Sequence, residues 1–303
     1  MRFVILHYHI FKNAGTAIEN LLRTNFGARL SKFEGDRPDC QLSGRQLVDW
    51  LVRNPEVQAV SSHQLRYPRP EAPGFVFFDL CFLRDPIDRI YSMYAFLRKH
   101  PPNSDALGIL AHETTLGRFV AHLVERSPHL VNDIQVTMLA TDGAYRRPSS
   151  ERDLAHATET LLDMSFPGVA DCFYESMVAG QYFWTPVFPD FENAAMPANV
   201  SSEAGSTLES RREEVRAACG KSLYDELEKL NVLDRELVSR ARAEVGRRFR
   251  LTPDGERRLV ELRTRVRTIA GEDLPAEGAL PTPQGKVALF LHGLRHPAAG
   301  RSR

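Results

Sequence analysis

Net charge is absent from this 303-residue sequence: Lys plus Arg number 39, and so do Asp plus Glu. A balanced chain has no broad field to draw it onto nucleic acid or an anionic membrane, so any anion site must be built locally from a few residues. Cysteine is scarce too. Cys40, Cys81, Cys172 and Cys219 lie far apart, with no Cys-x-x-Cys pair and no nearby His pair at zinc spacing. That spacing argues against a disulfide framework or a zinc module and predicts four free thiols in a reducing compartment, Cys81 and Cys172 simply filling apolar runs. No stretch reaches the roughly 18 apolar residues of a membrane span. Phe3-Val4-Ile5-Leu6 is too short for a secretory hydrophobic region. The expectation is a cytoplasmic protein with no membrane span and no nucleic-acid partner.

What is present is a large core, with 43% hydrophobic residues, and a pattern of alternating strands and helices. Arg2 to His9 reads as a short buried strand. Ala17, Ile18, Leu21, Leu22 and Phe26 then recur at helical spacing, making a strand-loop-helix unit. Ser43 caps a second helix to about residue 53. Residues 57–61 form a short strand, and Phe75 to Leu83 a nearly unbroken apolar one, as in a parallel strand covered on both faces. Asp85-Pro86 starts a helix to about residue 99. Further helices are expected near 116–127, 131–140, 150–164 and 211–248, a strand at 169–173, and a loop at 190–210. The fold class is therefore α/β: a P-loop-like three-layer arrangement, a central parallel sheet flanked by helices, with a helical C-terminal extension. One domain spans 1–250, an amphipathic helix 251–271 carries Leu259, Leu262, Val266 and Ile269, and 272–303 is a Pro- and Gly-rich tail, with Val287–Leu291 as a short docked piece. There is no internal repeat.

The first chemistry-bearing segment is His9-Ile10-Phe11-Lys12-Asn13-Ala14-Gly15-Thr16-Ala17, which joins strand to helix. Such a loop aims backbone N–H groups at an anion, and the helix N-terminus adds partial positive charge. Small Ala14 and Gly15 allow close approach of a phosphate. Thr16 is placed to cap the helix and offer its hydroxyl, and Lys12 to reach an oxygen as a point charge. It is not a Walker A loop, because Lys12 precedes Gly15 and no glycine stands upstream. The second segment, Leu83-Arg84-Asp85-Pro86-Ile87-Asp88-Arg89-Ile90-Tyr91-Ser92, starts at the carboxyl end of the strong strand, where ligands of open α/β sheets collect. Arg84 can fork onto a phosphate there, and Ser92 lies about two turns into the helix.

Together, "HIFKNAGT" and "FLRDPIDRIYSMY" resemble the two signatures that bind 3′-phosphoadenosine 5′-phosphosulfate (PAPS) in carbohydrate sulfotransferases of the Golgi and their bacterial relatives. The likeness is greatest to the uronyl (heparan sulfate) 2-O-sulfotransferases. There a strand ending near a histidine precedes the Arg-Asp-Pro helix by about twenty residues, as Val60-Ser61-Ser62-His63 precedes Arg84 here. Asp133-Ile134-Gln135-Val136-Thr137-Met138-Leu139, Phe166 to Met177, and Asn231-Val232-Leu233-Asp234 resemble further landmarks. Phe11, Asn13 and Thr137 depart from the family pattern.

The resemblance implies a PAPS-dependent O-sulfotransferase acting on a carbohydrate or other small metabolite. Lys12, Asn13, Ala14, Gly15, Thr16 and Ala17 would hold the 5′-phosphosulfate, and Arg84 and Ser92 the 3′-phosphate. The chemistry needs a base for the acceptor hydroxyl and a cation for the leaving phosphate. His63 suits the first role and Lys12 the second. His7, expected inside the first strand, and His9, expected to orient the loop, are rivals to His63. Glu19 is expected on the wrong side of its helix turn. No metal is expected. Two other readings remain: a non-catalytic nucleotide-binding protein on the same fold, and a small-molecule kinase, which would need Mg²⁺ and carboxylate ligands.

Overall fold

The computed structural model describes residues 1–37, 40–101, 106–140, 147–193 and 207–270. The expected tail at 272–303, its docked piece at Val287–Leu291, and most of the loop at 190–210 lie outside these residues. Five strands form one parallel sheet: β1 (Arg2–Tyr8), β2 (Leu30–Lys32), β3 (Ala59–Ser62), β4 (Phe75–Leu83) and β5 (Phe166–Val169), in the order β2-β3-β1-β4-β5. The register sets Ile5 opposite Ala59 and Phe78, and Leu80 opposite Phe166.

Alternation along β1 sends Val4, Leu6 and Tyr8 to one face and Ile5 to the other, and both faces are buried. On the first face pack α2 (Gly44–Arg53), α6 (Ile134–Ala140), α7 (Glu151–Asp163) and α10 (Val232–Leu251), through Leu47, Leu51, Val136, Leu154, Leu161 and Leu237. On the second pack α1 (Gly15–Phe26), α8 (Phe173–Trp184) and α11 (Gly255–Ala270), through Ile18, Leu22, Met177, Trp184 and Leu262. This is the expected three-layer α/β fold. A third cluster joins α3 (Pro86–Lys99), α4 (Ala106–Glu113), α5 (Leu116–Arg126) and α9 (Leu208–Lys229) around Ile90, Met93, Phe119, Leu123 and Leu227. Among the described residues, no helix is long and apolar enough to cross a membrane. The four cysteines are free, and Cys81 is wholly buried.

Local chemistry accounts for the main boundaries. Ser43 and Gln46 make a reciprocal capping box at the start of α2, and Asp85 accepts from the amides of Ile87 and Asp88 ahead of Pro86. The expected strand at 169–173 is displaced. It lies at Phe166–Val169, and Ala170–Cys172 is a 3₁₀ turn leading into α8. Pro167 and Gly168 disfavour a strand by propensity, but β5 is an edge, where proline is tolerated. Gly168 is required because a Cβ there would lie 2.4 Å from the Phe82 ring. The amide of Val169 donates to the Ser176 hydroxyl, and that of Ser165 to Asp79. Neither β2 nor α4 was anticipated from the sequence.

Candidate functional site

The sheet order brings the carboxyl ends of β3, β1 and β4 side by side, so His63, the loop after Tyr8, and Arg84 share one edge of the sheet. Within the loop, Lys12 and Ala14 adopt the left-handed region, with φ of 69° and 62°. For residues with a Cβ this costs about 1–2 kcal/mol each, a strain that tends to collect at working sites. The left-handed Ala14 is itself the residue that caps α1, with no side-chain cap. Thr16 therefore does not cap the helix; it falls within the first turn, and its side chain is exposed.

The expected donor set contracts accordingly. The amide of Asn13 donates to Ile10, and that of Ala17 to Ala14, whereas those of Ala14, Gly15 and Thr16 make no backbone hydrogen bond. The Ala17 side chain belongs to the core. Asn13 is turned inward: it is buried, and its Nδ2 donates to the Phe82 carbonyl and to Gln135 Oε1 at 2.9 and 2.8 Å. Its side chain thus braces the loop. Gly15 has a reason unconnected with phosphate. A Cβ there would lie 1.7 Å from His9 Nε2, so the glycine makes room for a histidine ring.

That ring is the middle of a stack. His9 lies 4.9 Å from His7 and 3.8 Å from His63, centroid to centroid. Glu19, one helical turn beyond Gly15, accepts from His9 Nδ1 at 3.1 Å and from the Ser61 hydroxyl at 2.9 Å, with Lys32 Nζ at 3.4 Å. Glu19 therefore faces the site, contrary to expectation, because the i, i+4 spacing puts it on the same helix face as Gly15. The hydrogen bond from His9 holds its carboxyl well below the usual range, against the effect of burial. Since the Ser61 proton goes to Glu19, His7 Nδ1 must donate to Ser61 Oγ, 3.0 Å away. Burial keeps His7 neutral, its pKa well below normal.

His63 lies at the outer end of the stack, open to solvent as a residue but with its imidazole part-buried against His9. Its Nδ1 is 2.9 Å from the His9 carbonyl, which can only accept, so the proton sits on Nδ1 and Nε2 carries the lone pair. Burial of the imidazole and then the neighbouring His9 lower its pKa to about 4. The structure thus gives His63 the tautomer of a base but little basicity. His9, Glu19 and His63 place nitrogen and carboxylate atoms within 4.8 Å of one another, a grouping the sequence did not suggest. The His9 and His63 rings are tilted by 32°, and the Nδ1 of each is already hydrogen-bonded, to Glu19 and to the His9 carbonyl. As arranged, the group is a hydrogen-bonded wall.

Across the loop the character changes. Lys12 Nζ stands 4.0 Å over the Phe96 ring, and burial followed by repulsion from Arg84 lowers its pKa to about 8. Arg84 donates from Nη1 to the Lys12 carbonyl at 3.0 Å and from Nε to Asp88 at 2.6 Å; its Nη2 makes no hydrogen bond among the described residues. Asp88 also accepts from Arg211 of α9 at 2.5 Å. Burial opposes ionisation of Asp88, but Arg84 and Arg211 more than reverse it, and its pKa is lowered. Ser92 is buried one turn beyond Asp88 and one turn before Phe96 on the same face of α3.

Of the residues expected at the site, then, Lys12, Ala14, Gly15, Thr16, His63 and Arg84 come to this sheet edge, Ser92 lies buried about two turns into α3, and Asn13 and Ala17 serve the interior. The sequence reading missed Glu19, Asp88, Phe96, Gln135 and Arg211 as neighbours. Only Gln135 and Asp88 lay within segments already singled out.

No family model matches the chain. It is similar to an uncharacterized protein of Archaeoglobus fulgidus, 27% identical over 238 residues, which cover 77% of this chain and 93% of that relative.

Proposed function

We propose that this protein is a PAPS-dependent O-sulfotransferase acting on a hydroxyl of a carbohydrate or other small metabolite. The observation that carries the reading is the contact between the two expected donor segments: Arg84 Nη1 bonds the Lys12 carbonyl, so an anion-seeking helix start and a partly free guanidinium sit together. The group fits the residues present. Open amides at Ala14, Gly15 and Thr16 suit one anionic end of PAPS, and Arg84 with Ser92 the other.

The transfer breaks the bond from sulfur to the donor's 5′-phosphate oxygen, forms one from sulfur to the acceptor oxygen, and releases the acceptor proton. His63 Nε2 takes that proton, and the His9 carbonyl fixes the ring by holding Nδ1–H. Lys12, protonated below about pH 8, meets the negative charge left on the phosphate. The first-turn amides hold oxygens in place. These roles rest on positioning and charge, as in related group transfers.

Calorimetric titration of 3′-phosphoadenosine 5′-phosphate (PAP), without added metal, tests the reading. Micromolar binding to wild type that is weakened at least about tenfold in Lys12→Ala and Arg84→Ala supports it; a folded wild type that does not bind PAP overturns it. A second reading, a non-catalytic nucleotide-binding protein, draws on the low basicity of His63. It requires that His63→Ala alter no measurable turnover.

A further inference from the structure

Gln135, the second residue of α6, is wholly buried, and all of its side-chain hydrogen-bonding capacity is used. Its Oε1 accepts from Asn13 Nδ2 at 2.8 Å and from the Arg84 amide at 2.9 Å. Its Nε2 donates to the Arg84 carbonyl at 2.9 Å and to Asp234 Oδ2 at 3.2 Å. One amide group therefore holds the loop after β1 and both backbone groups of the residue that ends β4. A carboxamide is the only side chain that can accept twice on one side and donate twice on the other within so small a volume.

The amide is itself fixed from behind. Asp234 accepts from the backbone of Gln135 and Val136, and Asp133 accepts from the backbone of Asp234, so α6 and α10 cap one another. With its main chain and side chain both pinned, Gln135 cannot shift without moving two helices. Gln135 itself is fully satisfied, while Asn13 Oδ1 is buried with no partner among the described residues, so the geometry is fixed chiefly by the glutamine.

We propose that Gln135 is a positioning residue that sets the separation between the loop's anion-binding amides and Arg84. This rests on the reading of the site as a donor site. It adds that the advantage of a ligand with two anionic ends over a ligand with one depends on a residue that touches neither end. Misplacing one half-site relative to the other should weaken only ligands that bridge both.

The test compares PAP with 5′-AMP, which lacks the 3′-phosphate, in calorimetric titrations of wild type, Gln135→Met and Asn13→Ala. Methionine keeps the length and bulk of glutamine without its hydrogen bonds, and Asn13→Ala removes one arm of the bridge if Gln135→Met does not fold. The expected result is a fall of about tenfold or more in the ratio of PAP to AMP affinity, with AMP binding within about twofold of wild type. Equal weakening of both ligands in a folded variant would overturn the proposal. An unchanged ratio in either folded variant would also overturn it while leaving the donor site standing. Failure of wild type to bind PAP would remove both.

Discussion

On the β3 side of the loop, four ionisable side chains are held by each other: His7, His9 and His63 in a stack, and Glu19 beneath them. On the β4 side, Arg84 and Arg211 flank one carboxylate, Asp88, and Lys12 stands near Arg84. On the first side Glu19 is ionised while His7 and His63 are held below the ordinary histidine range, and His63 Nε2 carries a lone pair at its outer end. The second carries an excess of cations on a framework of buried hydrogen bonds. The two sides share only the loop and Gly15. The difference separates two tasks: the β4 side can hold an anion, and the β3 side can receive a proton.

The sharpest way to break this division is His63→Ala. If the division holds, PAPS-dependent sulfation falls about 10²–10⁴-fold while PAP affinity stays within about twofold. A matching loss of PAP affinity in calorimetry would mean that the histidine side also binds the donor. Gly15→Ala strikes the wall common to both sides. The added Cβ meets His9, and the expected cost in urea denaturation is about 1–3 kcal/mol, because helix backbone and a stacked ring must both give way.

The pH profile is a gentler probe. Burial lowers the pKa of His63 to about 4 and that of Lys12 to about 8. Turnover needs the first deprotonated and the second protonated, so kcat/KM should be flat between roughly these limits, falling below the lower and above the upper. An acid limb near the ordinary histidine value would show that His63 is not shielded as described. The smallest effect is expected from Asp133→Asn. Burial and then Asp234 raise the Asp133 pKa to about 7, so its charge opposes folding above that pH. Removing the charge while keeping the accepting oxygen should raise the stability at pH 8 by on the order of 1 kcal/mol. The gain should shrink as pH falls below 7, since the folded protein then takes up the proton. Thermal unfolding at pH 8 and pH 5 reads the difference.

Much of the fold was legible because its signals are local. The apolar run Phe75–Leu83, the caps at Ser43 and Asp85, and the spacing of Ala17, Ile18, Leu21 and Leu22 act within a few residues. The site was legible to the extent that it lies at strand ends. Its errors came from contacts between segments remote in sequence. Asn13 is drawn inward by Gln135, 122 residues away, and Arg211 reaches Asp88 across 123. Gly15, expected to leave room for phosphate, also leaves room for His9. Glu19 was misplaced, because the left-handed Ala14 begins α1 two residues earlier than a Thr16 cap would have it. β5 was shifted because proline and glycine argue against strands generally but not at an edge.

That edge has one more consequence. Successive strand residues point their amides alternately toward β4 and away from it, and within β5 positions 167 and 169 share one direction. Pro167 has no amide proton to give, and Val169 gives its own to Ser176. At these two positions of β5 an incoming strand would find no amide donor. The border is thereby blunted against growth of the sheet by strand addition.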